Sequence, residues 1–244
     1  EVRMMKTSEK LNMTMLCDFY ELTMGNGYFK NGYKDRTVIF DVFFRRVPDQ
    51  GGFAIAAGLE QLIEYIEDLH FSDEDIEYLR GRNLFCEEFL EYLKDFRFTG
   101  DIYAIPEGTV MFPREPMIKV IAPIMEAQLI ETAILNIINH QSLIATKAAR
   151  VVHAADGDGI MEFGLRRAQG ADAANLGARA AVIGGCVGTS NVLTVLCGSY
   201  TLKETSAPSG FELDTKTHNV TVRPVLNSVV ESSERPKKGK ITVR

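Results

Sequence analysis

The sequence predicts an α/β fold in which an N-terminal α+β domain precedes parallel βα units. Three observations carry this. Apolar residues recur at helical spacing in two stretches, Leu59, Leu62, Ile63, Ile66 and Leu69, then Leu129, Ala133, Leu135, Ile138 and Leu143. Short β-like runs crowd between Asp101 and Ala122, punctuated by Pro106, Gly108, Pro113 and Pro116. Beyond residue 159 strand and helix patterns alternate, the order that sets strands side by side in parallel.

In chain order, Met15 to Phe29 is apolar-rich and reads as a helix ending near Gly32. Arg36 to Val47 alternates and is rich in Val, Ile and Phe, as a strand should be. Gly51-Gly52 is a turn, and the helix over Leu59–Leu69 carries its glutamates on the face opposite the apolar one. Ser72-Asp73-Glu74-Asp75 offers a serine cap with an acid three residues on. It starts the first of two short acidic helices that run to about Phe96, whose charged faces read as solvated surface. Ile102–Ile105, Thr109–Phe112 and Met117–Ile121 form a small antiparallel sheet. A long helix follows, Ile124 to Val152. Then come a strand over Gly159–Phe163, a helix over Asp172–Ala181, a strand at Val182-Ile183 and a glycine loop.

The organisation expected is residues 1–123 as the N-terminal domain with its small sheet, 124–193 as the long helix and first βα units, and 194–244 as a divergent tail. The tail is rich in Ser, Thr and Lys, with sparse alternating apolar residues such as Val220, Val222 and Val225, and reads as short strands. Its basic run, Arg235-Pro236-Lys237-Lys238-Gly239-Lys240, is short and lacks interleaved aromatics, so it is a weak nucleic-acid arm.

The chain has 244 residues, 45% hydrophobic and 25% charged, with a formal net charge of -6. That balance argues against nucleic-acid and membrane-surface partners, which favour a basic face. No apolar run approaches a membrane span and the N-terminus lacks a signal-peptide core, so a cytoplasmic location is expected. Cys17, Cys86, Cys186 and Cys197 form no CxxC pair, and reduced thiols are the default. His70, His140, His153 and His218 show no metal-ligand spacing, and no structural metal is expected.

The richest stretch is Glu162-Phe163-Gly164-Leu165-Arg166-Arg167-Ala168-Gln169-Gly170, followed by Ile183-Gly184-Gly185-Cys186-Val187-Gly188-Thr189-Ser190-Asn191. A phenyl face can stack on an aromatic ligand. Arginine offers planar, bidentate recognition of carboxylate or phosphate. Glycines let backbone amides approach a ligand closely. Together they describe a site for a flat, anionic ring. On the long helix Lys147 and Arg150 either reach phosphates or form a solvated face, and His140 and His153 read as satisfied polar groups. Asp156-Gly157-Asp158-Gly159 reads as a turn, with a magnesium site as the alternative.

Three segments together resemble the nicotinate phosphoribosyltransferase family. They are Leu16-Cys17-Asp18-Phe19-Tyr20-Glu21-Leu22-Thr23-Met24, with Cys17 where threonine is usual, Glu162 to Gly170, and Gly184 to Leu193. Asn136 to Lys147 also resembles the family's long helix entering its barrel, and the likeness spans about Leu11 to Leu193. The resemblance implies an α/β domain beside the beginning of an irregular α/β barrel of the type II phosphoribosyltransferase kind. It implies an enzyme of NAD salvage that joins nicotinate to 5-phosphoribosyl-1-diphosphate, giving nicotinate mononucleotide and diphosphate. It also implies coupled ATP hydrolysis, Mg2+ on the diphosphate, and a homodimer with shared active sites.

Carried over residue by residue, the resemblance makes Phe163 a stacking face for the pyridine ring and Tyr20, from the neighbouring subunit, the other. Arg166 would meet the carboxylate or a phosphate, with Arg167 beside it, while Gly164, Thr189 and Ser190 complete the substrate-binding set. Ser190 discriminates, because the related nicotinamide enzyme carries an acid at the matching place. An acid accepts from a carboxamide and repels a carboxylate, whereas serine does not repel it. Past Leu193 the family's glycine-threonine-x-alanine-histidine-serine segment is not found, and His218 in Lys216-Thr217-His218-Asn219 does not match it. The alternative is therefore a truncated, non-catalytic member that binds nicotinate or only dimerises. A reading from another class is a structural or interaction protein whose glycines and arginines serve folding alone.

Overall fold

The computed structural model describes residues 12–47, 49 and 51–192, and the backbone of 198–203 and 217–222. The basic run at 235–240 and the tail residues other than 198–203 and 217–222 lie outside the described residues. The chain divides into two compact units, Glu1–Ser142 and Leu143–Arg244. Among the described residues no helix is long and apolar enough to cross a membrane.

The first unit mixes helix and strand as expected. Its elements are α1 (Phe19–Lys30), β1 (Thr37–Val42), β2 (Ala54–Ile55), α2 (Leu59–Glu67), α3 (Asp73–Arg80), α4 (Glu87–Lys94), β3 (Asp101–Ala104), β4 (Val110–Met111), β5 (Ile118–Pro123), α5 (Ile124–Leu129) and α6 (Glu131–Ala154), which begins here and runs past the boundary. The helix expected from Met15 starts four residues later. Met13–Met15 is a separate 3-10 turn, capped by the Asn12 side chain, and Asp18 is extended. The Ser72 cap forms as read: its hydroxyl accepts from the Asp75 amide at 3.2 Å, and the Asp75 carboxylate accepts from the Ser72 amide at 2.9 Å. The long helix expected over 124–152 is two helices, α5 and α6, parted at Ile130, which is fully buried.

Strand order is β1-β5-β3, antiparallel throughout, with β5 central and registers running from Thr37↔Pro123 to Val42↔Ile118 and from Asp101↔Ile121 to Ala104↔Ile118. The Thr109–Phe112 run does not join this sheet. Gly108, at φ +82°, turns the chain so that its amide donates to Ala56 O at 2.8 Å and Thr109 O accepts from Ala56 N at 3.0 Å, and β4 pairs with β2 instead. Ile118, Val120 and Ala122 alternate inward from β5 onto a core that includes Leu22, Leu62, Ile76, Phe89, Leu93 and Met125. Burying side chains of this size contributes about 1.5–3 kcal/mol each.

Two contacts in the first unit depend on distant residues. Gly58, at φ +107°, begins α2 without a side-chain cap, and Glu107 supplies one: its Oε1 accepts from the amides of Gly58 at 2.6 Å and Leu59 at 3.1 Å. The buried Glu126 carboxylate accepts from Thr99 N at 2.6 Å, Thr99 Oγ1 at 2.9 Å and Gly100 N at 3.2 Å. Gly100 is required there by space, because a Cβ would stand 2.3 Å from Ala122 Cβ.

In the second unit the rest of α6 is followed by β6 (Met161–Glu162), a 3-10 turn at Leu165–Arg167, α7 (Ala171–Ile183) and β7 (Gly188–Thr189). β6 and β7 are parallel, with Met161↔Gly188 and Glu162↔Thr189 in register, which is the βα arrangement expected. Val182-Ile183 is not a strand. These residues close the alanine-rich α7, which ends at Gly184-Gly185, and the strand comes five residues later. Asp156, at φ +48°, and Gly157, at φ +103°, make the turn read from the sequence. Farther on, β8 (Gly198–Lys203) and β9 (Thr217–Val222) pair as an antiparallel hairpin.

Candidate functional site

Six of the seven predicted site residues gather at one end of the β6–β7 pair. Parallel pairing brings Glu162 opposite Thr189 and is extended by the Ser190 amide, which donates to Glu162 O at 3.0 Å. Phe163 follows β6 directly and is 67% exposed, unusual for a phenylalanine beside a strand. The 3-10 turn after it swings Arg166 back, so that the guanidinium carbon stands 5.5 Å from the Phe163 ring centroid. Arg166, Arg167 and Ser190 are exposed. The cluster therefore offers an uncovered aromatic ring, two cations and a hydroxyl on one surface, the chemistry of a planar anion.

Beneath it lies Glu162, which the sequence reading did not place in the site. Its carboxylate accepts from the Gly164 amide through Oε1 and from the Thr189 hydroxyl through Oε2. Thr189 Oγ1 in turn accepts from Asn191 N at 3.0 Å, and the buried Asn191 donates to Asn175 Oδ1 on α7 at 2.9 Å. The glutamate heads the Glu162–Gly170 run, and an acid beside two arginines in an otherwise uncharged segment is the signal that marks it.

Two of the glycines sit in close contact with neighbouring atoms. Gly164 sits at φ -92°, open to any residue, and a Cβ there would lie 2.7 Å from Glu162 Oε1, the end of a flexible side chain that would have to move aside. Gly184 is pressed on α6, where a Cβ would meet Ala145 O at 2.4 Å and Ala148 Cβ at 2.8 Å. At Gly164 and Gly184 the close neighbours are the chain's own atoms. Cys186 is buried, and that burial, with the Glu162 charge added, pushes its thiol above the ordinary range.

Tyr20, the seventh residue, belongs to the first unit. It stands on α1, 46% exposed, and its hydroxyl donates to Glu131 Oε1 at 3.4 Å. Its neighbour Glu21 is fully buried, accepting through Oε1 from Thr132 N at 3.1 Å and Thr132 Oγ1 at 2.7 Å, with Oε2 unpartnered. Burial pushes the Glu21 carboxyl up to about 6, despite the Thr132 hydrogen bonds that favour its charged form. Burial also raises the Cys17 thiol to about 12, leaving it unreactive near neutrality. A cleft of about 460 Å³ opens in the same unit, lined among others by Asp18, Phe43, Arg45, Thr132 and Asn136, and none of the predicted site residues lines it.

Cys17, Cys86 and Cys186 are free thiols. Asp156 and Asp158 are exposed in their turn, and among the described residues no three His, Cys, Asp or Glu side chains converge as a metal site would require. Lys147 is exposed and Arg150 half-buried on α6, and both are engaged in interactions.

Two family models match parts of the chain. Residues 15–139 match the family model described as nicotinate phosphoribosyltransferase (NAPRTase) N-terminal domain. A second model, described as a prealbumin-like fold domain, matches residues 159–234. Nicotinate phosphoribosyltransferase pncB2 of Mycobacterium tuberculosis is 48% identical over 179 residues, covering 73% of this chain and 38% of that protein. Nicotinate phosphoribosyltransferase of Bacillus subtilis is 48% identical over 181 residues, covering 74% of this chain and 37% of that protein. The crystal structure of human nicotinic acid phosphoribosyltransferase superposes with a TM-score of 0.69 at 35% identity, covering 73% of this chain and 36% of that one. The chain thus spans little more than a third of the length of the curated relatives it matches.

Proposed function

Because the chain belongs to the nicotinate phosphoribosyltransferase family, we propose that it carries the nicotinate-recognising part of that enzyme and acts in NAD salvage. The observation that carries this reading is the exposed Phe163 ring with the Arg166 guanidinium 5.5 Å from its centroid. A pyridine ring laid on the phenyl face directs its carboxylate to that guanidinium. Arg167 adds positive charge for the carboxylate or a phosphate, and the exposed Ser190 presents a hydroxyl beside Thr189, whose own hydroxyl is held by Glu162. Tyr20 of a second copy closes the other face of the ring in a homodimer, a role supported by the exposure of its ring on α1.

In the transfer reaction the ring nitrogen attacks the anomeric carbon of 5-phosphoribosyl-1-diphosphate. The bond from that carbon to the diphosphate oxygen breaks, and diphosphate leaves with the electron pair. Holding the ring in line makes the encounter effectively intramolecular. Positive charge from Arg167 favours the leaving anion. Magnesium and ATP belong to the reading through the family. The described residues do not fit a protein-built magnesium cage, so the roles above rest on this chain's own side chains.

The test is to incubate the purified chain with nicotinate, phosphoribosyl diphosphate, magnesium and ATP and to assay nicotinate mononucleotide by mass spectrometry. Product above a Phe163→Ala control supports the transferase. Nicotinate binding without product supports the second reading, a non-catalytic family member, favoured by the prealbumin-like match over 159–234 and the β8–β9 hairpin within it. Neither binding nor product overturns the transferase and the nicotinate-binding form of the second reading, leaving a member that only dimerises.

A further inference from the structure

We propose that Glu162 is a positioning residue of the nicotinate site, its carboxylate fastening the Phe163–Arg166 turn to the Thr189-Ser190 strand end. The inference rests on the reading of that cluster as the nicotinate site. Three observations carry it. First, the two carboxylate oxygens are divided between the two halves of the cluster, Oε1 to the Gly164 amide and Oε2 to the Thr189 hydroxyl. An ionised carboxylate is acceptor-only, so both bonds are charge-assisted and neither half can turn without losing one. Second, Gly164 has no conformational need to be glycine at φ -92°, and the space a Cβ would take is filled by Glu162 Oε1 at 2.7 Å. Third, the chain of bonds continues through Thr189 Oγ1 to Asn191 and to Asn175 on α7, tying the carboxylate to buried structure.

The consequence is a division of labour. Phe163, Arg166 and Ser190 face outward to meet the ligand, and Glu162 makes no contact with it but fixes their mutual placement. Because the β6–β7 pair is only two residues long on each strand, its own ladder bonds cannot hold that placement. A two-strand pair of this size is marginal without added contacts.

The test uses the full chain and four variants, Glu162→Ala, Glu162→Gln, Gly164→Ala and Phe163→Ala. It measures nicotinate dissociation constants by calorimetry and amide hydrogen exchange at Gly164 without ligand. Glu162→Ala and Gly164→Ala, the second by pushing the carboxylate aside, are expected to weaken nicotinate binding about tenfold or more. Glu162→Gln keeps an acceptor for Gly164 and gives a donor that Thr189 Oγ1 can accept, so it is expected to stay within about threefold. Gly164 protection should fall in Glu162→Ala and persist in Glu162→Gln, a rescue that bulk destabilisation would not produce. If Glu162→Ala unfolds, Gly164→Ala decides. Binding within twofold of the unmodified chain in the folded alanine variants overturns the proposal while Phe163→Ala still loses binding. Binding that is absent from the unmodified chain, or unchanged in Phe163→Ala, removes the functional reading instead.

Discussion

Glu21 and Thr132, 111 positions apart, meet through two hydrogen bonds to one carboxylate oxygen, at 2.7 Å from the threonine hydroxyl and 3.1 Å from its amide. The amide is one of the unpaired donors at the start of α6, so a side chain of α1 caps a helix of another part of the chain. The same turn of α1 turns Glu21 and Leu22 inward and leaves Phe19 and Tyr20 outward.

That burial has a pH signature. The folded-state value of Glu21, about 6, lies above its ordinary 4.5. Its folded state therefore holds the proton more tightly, and stability from this group is fully present below about pH 4.5 and lost as pH rises through 6. The loss amounts to about 2 kcal/mol at about 1.4 kcal/mol per pH unit. Glu21→Gln is expected to remove this slope, as read by denaturant unfolding at pH 4.5, 5.5 and 7; a slope unchanged in the variant would assign it to another group.

Phe163→Ala should separate recognition from stability. With the residue 67% exposed, truncation is expected to change unfolding free energy by about 0.5 kcal/mol or less. Nicotinate binding should nevertheless be abolished. A large loss of stability would mean that the ring packs against the fold and would favour a purely structural role.

Arg166→Lys keeps the charge and removes the planar fork. If the guanidinium meets the nicotinate carboxylate in bidentate fashion, affinity should fall about tenfold or more, with little change in melting temperature. Equal affinity would take Arg166 out of direct contact.

Ser190→Asp places an acid where a carboxylate ligand is expected. Its exposed position allows the substitution without burying charge. Nicotinate affinity should drop while nicotinamide affinity holds or rises, measured by paired calorimetric titrations. Parallel losses for both ligands would show that the position governs folding of the loop and not selection.

How much of this was legible in the sequence depended on how far each cause reached along the chain. The Ser72–Asp75 box and the Asp156-Gly157 turn are set within four residues, and both were read correctly. Val182-Ile183 looked like a strand because β-branched pairs favour one. The alanine-rich helix before them carried helical geometry to the glycine pair instead. The break at Ile130 has neither proline nor glycine to announce it. Glu162 folds back on Gly164, a contact no periodicity reveals, and the tight seat of Gly184 against α6 is visible only once two helices meet. Among the candidate site residues, Phe163 and the two arginines stand out from the local sequence, an aromatic beside adjacent cations.

The Glu107 carboxylate at the start of α2 has a bearing on the order of folding. Helix α2 cannot finish its first turn from local residues, because Gly58 brings no side chain. The missing acceptor arrives from a residue 49 positions downstream of Gly58. Closing that loop is slower than adding residues to a helix, so the first turn of α2 is set late, when the segment around Glu107 docks. The Gly58 and Leu59 amides are thus a built-in clock for that docking, and the moment they become protected in a refolding experiment marks when the two halves of the first unit's chain have found each other.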